Sequence, residues 1–122
     1  MKTTLTLFVV LILFGCSKSG GDTQKPVVVL MTPTGGQQFS AGTVVRITGT
    51  VTDNDEIHMV HVIVTDLTHD VEVHHLMYHA DAPSYNFDET FTVSASTTYK
   101  IHVEADDHVG NDTIIEIQVT GL

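Results

Sequence analysis

Residues 99–107 read Tyr-Lys-Ile-His-Val-Glu-Ala-Asp-Asp, and apolar and polar side chains alternate through them. Tyr99, Ile101, Val103 and Ala105 take one parity; Lys100, His102, Glu104 and Asp106 take the other. Successive side chains of an extended chain point to opposite faces, so this segment predicts a β-strand with one face on a core and one in water. At helical spacing the same apolar residues would be scattered round the whole surface.

The same period recurs on both sides of this strand. Upstream, Tyr85, Phe87, Phe91 and Val93 alternate with Asn86, Asp88, Thr90 and Thr92, and Val71 to His79 (VEVHHLMYH) predicts a further strand. From Ile57 to Asp66, Val60, Val62 and Val64 fall on one face and Met59, His61, Ile63 and Thr65 on the other. Val45, Ile47, Gly49 and Val51 form another half-buried set, and Val27–Met31 runs into a Thr-Pro-Thr-Gly-Gly turn. Downstream, Ile115, Ile117 and Val119 alternate with Glu116 and Gln118. Seven short strands separated by turn residues predict an all-β fold, a seven-stranded antiparallel β-sandwich, with a closed antiparallel barrel as the alternative.

The chain of 122 residues divides into three parts. Residues 1–15 predict a signal peptide: Met1-Lys2 is a basic start, and Leu5–Phe14 is apolar apart from Thr6. That run is too short for a membrane-spanning helix, which needs about 20 apolar residues. It ends Leu13-Phe14-Gly15-Cys16, which resembles the bacterial lipobox. The resemblance implies cleavage before Cys16 and lipidation of its sulfur and new amino terminus, which together exceed the two signals that stable anchoring needs. Ser17 after the cysteine, rather than Asp, implies an outer-membrane lipoprotein, periplasmic or surface-exposed. Residues 16–25 are then the lipidated cysteine and a small polar tether, and residues 26–122 one folded domain.

Charge and composition narrow the function. The net charge is −10, and removal of Lys2 leaves four Lys/Arg against fifteen Asp/Glu. Such a chain repels phosphate backbones, which excludes nucleic acid as a partner. One cysteine cannot form a disulfide framework or a Cys-rich zinc site. No Gly-x-Ser-x-Gly, His-Glu-x-x-His or phosphate-cradling glycine loop is present, and the pattern predicts a protein that is not an enzyme.

The eight histidines, at 58, 61, 69, 74, 75, 79, 102 and 108, crowd into the middle of the domain. With Val60, Val62, Ile101 and Val103 inward, His61 and His102 point outward, and neighbouring strands place opposite residues about 5 Å apart. The next strand adds His74 outward if Val71 and Val73 are inward, or His75 with His79 if its parity is reversed. The doublet His74-His75 puts one imidazole on each face in either register. A metal site is therefore predicted from His61, His74, His75, His79, His102 and Glu104, with Glu72 as an orienting carboxylate. Imidazole and carboxylate ligands without thiolate suit Zn²⁺, Cu²⁺ or Ni²⁺, and Zn or Cu is the expected cofactor. Asp53, Asp55, Asp106 and Asn111 form a lesser candidate, a Ca²⁺ loop site, because that ion needs six to eight oxygens. The same residues are ordinary turn formers.

Several motifs resemble bacterial immunoglobulin-like (Ig-like) domains: Pro26-Val27-Val28, Thr32-Pro33, Gly42-Thr43-Val44-Val45, Thr50-Val51-Thr52-Asp53, Ile57-x-x-Val60 and the strand 99–107 with Gly110-Asn111. The resemblance implies an immunoglobulin-like β-sandwich, with Tyr99 as a tyrosine corner whose hydroxyl returns to nearby backbone. The arrangement is also similar to a family of single-domain lipoproteins with histidines in their middle strands and no agreed activity. The expected function is a membrane-anchored, non-catalytic lipoprotein binding a transition metal through its histidines. The alternative is an adhesion module with a protein or glycan partner and incidental histidines; an accessory subunit of a separate enzyme is a third reading.

Overall fold

The structure, a computed structural model, describes residues 21–122. The signal segment and Cys16 lie outside the described residues. Six strands follow in order: β1 (Val27–Thr32), β2 (Gln38–Phe39), β3 (Val44–Asp66), β4 (Val71–Thr92), β5 (Thr97–Asp107) and β6 (Asp112–Gly121). There is no helix among the described residues.

β3 and β4 each run through two of the predicted strands, and this continuity shapes the sandwich. The first half of β3 pairs with β1 (Val28 with Val51) and with the end of β4 (Val45 with Phe91). Its second half pairs with β5 (Val62 with Val103) and with the start of β4 (Val62 with Leu76). Between them the register slips at Thr52/Ile57 and again at Ile57/Met59. Such bulges bend and twist a strand without ending it, so β3 passes from one layer to the other. The Asp53-Asn54-Asp55-Glu56 segment predicts a turn, and the chain instead crosses over there while still extended. β4 crosses at the same level through Asp81, whose φ of 43° is left-handed, and Pro83, tolerated because β4 lies at a sheet edge.

One layer therefore holds β1, residues 44–52 of β3 and residues 84–92 of β4. The other holds residues 71–82 of β4, residues 57–66 of β3, then β5 and β6, with β2 added parallel to β6. Counted by halves, these are the seven predicted strands plus the two-residue β2, whose parallel pairing departs from the antiparallel rule. The alternation read from the sequence points inward as expected: Val45, Ile47, Val51, Val60, Val62, Val64, Ile101 and Val103 are buried in one core. Phe91 of one layer meets Tyr99 of the other edge-on, ring centres 5.1 Å apart. Burial of each such side chain is worth about 1.5–3 kcal/mol.

Asp22, ahead of β1, is tied to the domain. The Asn54 amide donates to the Asp22 carboxylate at 2.8 Å, and the Asn111 amide donates to the Asp22 carbonyl at 3.1 Å.

Candidate functional site

The outer face of the larger layer carries most of the imidazoles, because inward valines and isoleucines at one parity force the other parity outward. Across this face the ladder sets Met77 and Glu104 on either side of His61, and His75 and His102 on either side of Ile63. His61 Nδ1 lies 3.3 Å from His75 Nε2, with the ring centres 5.6 Å apart. His75 Nδ1 lies 3.2 Å from a Glu72 carboxylate oxygen.

β4 takes the reversed parity. His74 pairs with Val64 and shares its inner side, so it is separated from His75 by the sheet itself. Its Nε2 lies 3.0 Å from Glu89 Oε2 but off the hydrogen-bonding direction, and this buried nitrogen has no hydrogen-bond partner among the described residues. Val71 and Val73 are exposed rather than inward. The expectation of His74 outward with those valines inward is corrected accordingly; β4 is an edge strand, and its apolar residues are not all claimed by the core.

His102 is not opposite His61; Glu104 is. The His102 ring is held between two carboxylates, Nδ1 at 2.8 Å from Glu116 and Nε2 at 3.3 Å from Glu104. With both nitrogens taken, it does not share a point with His61 and His75. Hydrogen bonds from His102 and from Lys100 hold the Glu116 carboxyl below the usual carboxylate range against a smaller effect of burial.

His79 belongs to a second group that the sequence reading did not assemble. It lies beside His58, ring centres 5.2 Å apart, and the His58 ring centre lies 4.7 Å from that of His108. The meeting of His58 with His108 depends on the bulge in β3 and on the β5–β6 turn, so no local sequence pattern carries it. Among the described residues, no group of three or more His, Cys, Asp or Glu side chains is arranged so that it could hold a metal ion.

The four predicted calcium ligands do not face one point. Asp106 reaches His58 on the outer face, at 3.1 Å from its Nδ1. Asp53 accepts from the Asp55 amide at 3.0 Å, as a turn former does, and its second oxygen is buried without a hydrogen-bond partner among the described residues. Asn111 donates to Asp107 at 2.6 Å. Asp107 is the buried carboxylate of this turn, accepting also from the Val109 and Asn111 amides at 2.9 and 2.8 Å. A groove of about 320 Å³ opens between β1, β2 and β3, lined by Thr32, Pro33, Phe39 and Val45, away from every histidine.

Residues 26–103 match the family model described as a bacterial Ig domain. The chain belongs to the bacterial Ig domain family. The two-layer fold of this Ig domain is shared with the fibronectin(III)-like modules of CbhA from Clostridium thermocellum. That likeness has 18% identity and a TM-score of 0.54 over 78% of this chain and 94% of that one. A superoxide reductase (neelaredoxin) from Ignicoccus hospitalis is similar at 9% identity and a TM-score of 0.52, over 80% of each chain. Both likenesses are of fold alone. No curated protein sequence matches the chain.

Proposed function

We propose that this bacterial Ig domain is a non-catalytic, lipid-anchored module of the cell envelope that binds a divalent transition-metal ion on the outer face of its larger sheet, through His61 and His75. The observation that carries the reading is the 3.3 Å between His61 Nδ1 and His75 Nε2. Two imidazole nitrogens bound to one tetrahedral ion at about 2.0–2.1 Å each stand roughly 3.3–3.4 Å apart. Glu72 behind His75 supports it, since a carboxylate on the second ring nitrogen fixes the ring and raises its basicity toward a metal. Glu104, directly across from His61, supplies the third ligand by turning from His102. Imidazole with carboxylate favours Zn²⁺, Cu²⁺ or Ni²⁺ over Ca²⁺, which needs more oxygens than this face offers. Anchoring through Cys16, at the outer membrane, rests on the Leu13-Phe14-Gly15-Cys16 sequence.

Calorimetric titration of Zn²⁺ into chelator-washed full chain tests the reading, with Cys16→Ser removing the one competing thiol. A tight equivalent that both His61→Ala and His75→Ala abolish is expected. Titration unchanged in both variants overturns it.

A second reading, a protein or glycan partner docked on a sheet edge, is favoured by one feature. Among the described residues, 71–82 of β4 pair only with β3, and Val71, Val73 and Met77 are exposed along that strand. An open edge of this kind accepts an added strand. Partner binding that survives His61→Ala and His75→Ala but is lost when Val73 and Met77 are changed to Lys would establish it.

A further inference from the structure

We infer that His58, His79 and His108 form a second transition-metal site at the end of the sheet, separate from the His61–His75 pair. His58 lies at the second register slip in β3, between Ile57 and Met59. A bulge re-aims the side chain at that position. It delivers the His58 ring beside both His79 of β4 and His108 of the β5–β6 turn, at centre distances of 5.2 and 4.7 Å. Imidazoles that share one tetrahedral ion, with each nitrogen at about 2.0–2.1 Å, have their ring centres roughly 5 Å apart. Both separations match that spacing, and closing the site requires the His79 and His108 rings to turn toward His58.

The carboxylates stand behind the rings. Asp106 Oδ2 is 3.1 Å from His58 Nδ1, which leaves Nε2 of that ring for a metal. Asp81 Oδ1 is 3.1 Å from His108 Nε2, with Glu56 at 4.0 Å, which leaves Nδ1. One ring nitrogen on a carboxylate and the other turned to an ion is the arrangement that orients imidazole ligands in metal proteins. Three neutral imidazoles with water in the fourth position suit an ion of the Zn²⁺, Cu²⁺, Ni²⁺ class. The side chains of His58 and His108 are 36% and 49% exposed, so an ion has a path in from solvent.

The site stands independently of the His61–His75 reading. His75 and His79 are four residues apart on β4, about 13 Å along the strand. The test is Zn²⁺ titration of the full chain carrying Cys16→Ser, followed by calorimetry and by NMR of the imidazole ring signals. In the His61→Ala, His75→Ala background a tight equivalent is expected to remain, shifting the ring signals of His58, His79 and His108 together. Adding His58→Ala or His108→Ala should remove it, and Asp106→Asn should weaken it about 10- to 100-fold. Thermal unfolding of each variant checks that the sandwich is intact; His108→Ala lies in an exposed turn and serves if His58→Ala does not fold. Retention of full affinity in His108→Ala, or Zn²⁺ shifts confined to His61 and His75, overturns the proposal. A single equivalent that His61→Ala and His75→Ala leave unchanged and His108→Ala removes would refute the earlier reading and leave this one standing.

Discussion

The hydroxyl of Tyr99 accepts a hydrogen bond from the backbone amide of Ser94 at 2.9 Å. Tyr99 follows Thr97 in the inward row of β5 and is 2% exposed, so the ring fills the core while the oxygen closes the β4–β5 turn. This is the corner expected of Tyr99, with the hydroxyl as acceptor. Tyr99→Phe keeps the ring against Phe91 and leaves the Ser94 amide without its partner. A loss of about 1–2 kcal/mol is expected. It would be read as a lower denaturation midpoint with an unchanged slope.

Gly49 lies in the same kind of inward row, opposite Phe87 on β4. A Cβ at this position would collide with the Phe87 ring and with the Val29 carbonyl of β1. The ring can shift, but the carbonyl is fixed in the β1–β3 ladder. Gly49→Ala should therefore destabilise by about 1–3 kcal/mol, the cost of overpacking a filled core. Phe87→Leu in the same chain should restore only part of it, because the contact with Val29 remains. Thermal unfolding of the single and double variants would show this.

The strongest rows could be read from the sequence because the core claims every second residue. Tyr99, Ile101, Val103 and Ala105 are all buried, as are Val60, Val62 and Val64. Asp107 continues the same row to the turn, buried although charged, because Asn111 and turn amides meet its carboxylate. The unity of β3 and of β4 could not be read. Asp53-Asn54-Asp55-Glu56 has the composition of a reversal, and the same residues serve equally where an extended chain bulges and changes layer. The parity of β4 was ambiguous for a related reason: at an edge both faces keep some solvent, so Val71 and Val73 mark no inner side. His58 and His108 meet only through that bulge and the β5–β6 turn, and no local pattern carries such a contact.

Acid should destabilise the domain through Asp107. Burial pushes this carboxyl up, but the hydrogen bonds from the Asn111 side chain and from the Asn111, Val109 and Gly110 amides outweigh it and hold the group below the usual range. Asp66 is depressed likewise: burial raises it, and bonds from the His69 ring and from the His69 and Thr68 amides lower it further. A depressed carboxyl stabilises the fold fully above its unfolded value of about 3.9, and the contribution is lost as the pH falls through the lower folded value. The melting temperature should therefore fall steeply below about pH 4. Asp107→Asn should lower it at neutral pH and flatten the acid limb. An equally steep limb in that variant would place the acid sensitivity elsewhere.

Cys16→Ser tests the anchor. Each buried methylene of an acyl chain contributes about 0.8 kcal/mol, so several chains on one residue hold a protein in detergent or membrane. The natural chain is expected to partition into the detergent phase, with a mass showing cleavage and acylation at Cys16. The serine variant, lacking the sulfur that accepts the lipid, should remain unprocessed or enter the aqueous phase. Identical partitioning and mass shift in both would exclude the lipobox reading.

The doublet His74-His75 offers an internal control for the proposed metal face. The residues are adjacent in sequence, equal in chemistry and set on opposite sides of the same strand. His75 faces His61, with Nε2 at 3.3 Å from its partner nitrogen, whereas His74 lies on the inner side beside Glu89. If an ion binds the outer face, His75→Ala removes a ligand and should weaken Zn²⁺ binding at least about tenfold. His74→Ala should leave the affinity where it is, since no rotation of its ring carries a nitrogen through the sheet. Calorimetry on the two variants in parallel, in chain carrying Cys16→Ser, separates a site built by strand parity from diffuse attraction to a histidine-rich acidic surface. Equal weakening by both substitutions would mean diffuse attraction, and the assignment of the ion to His61 and His75 would fall.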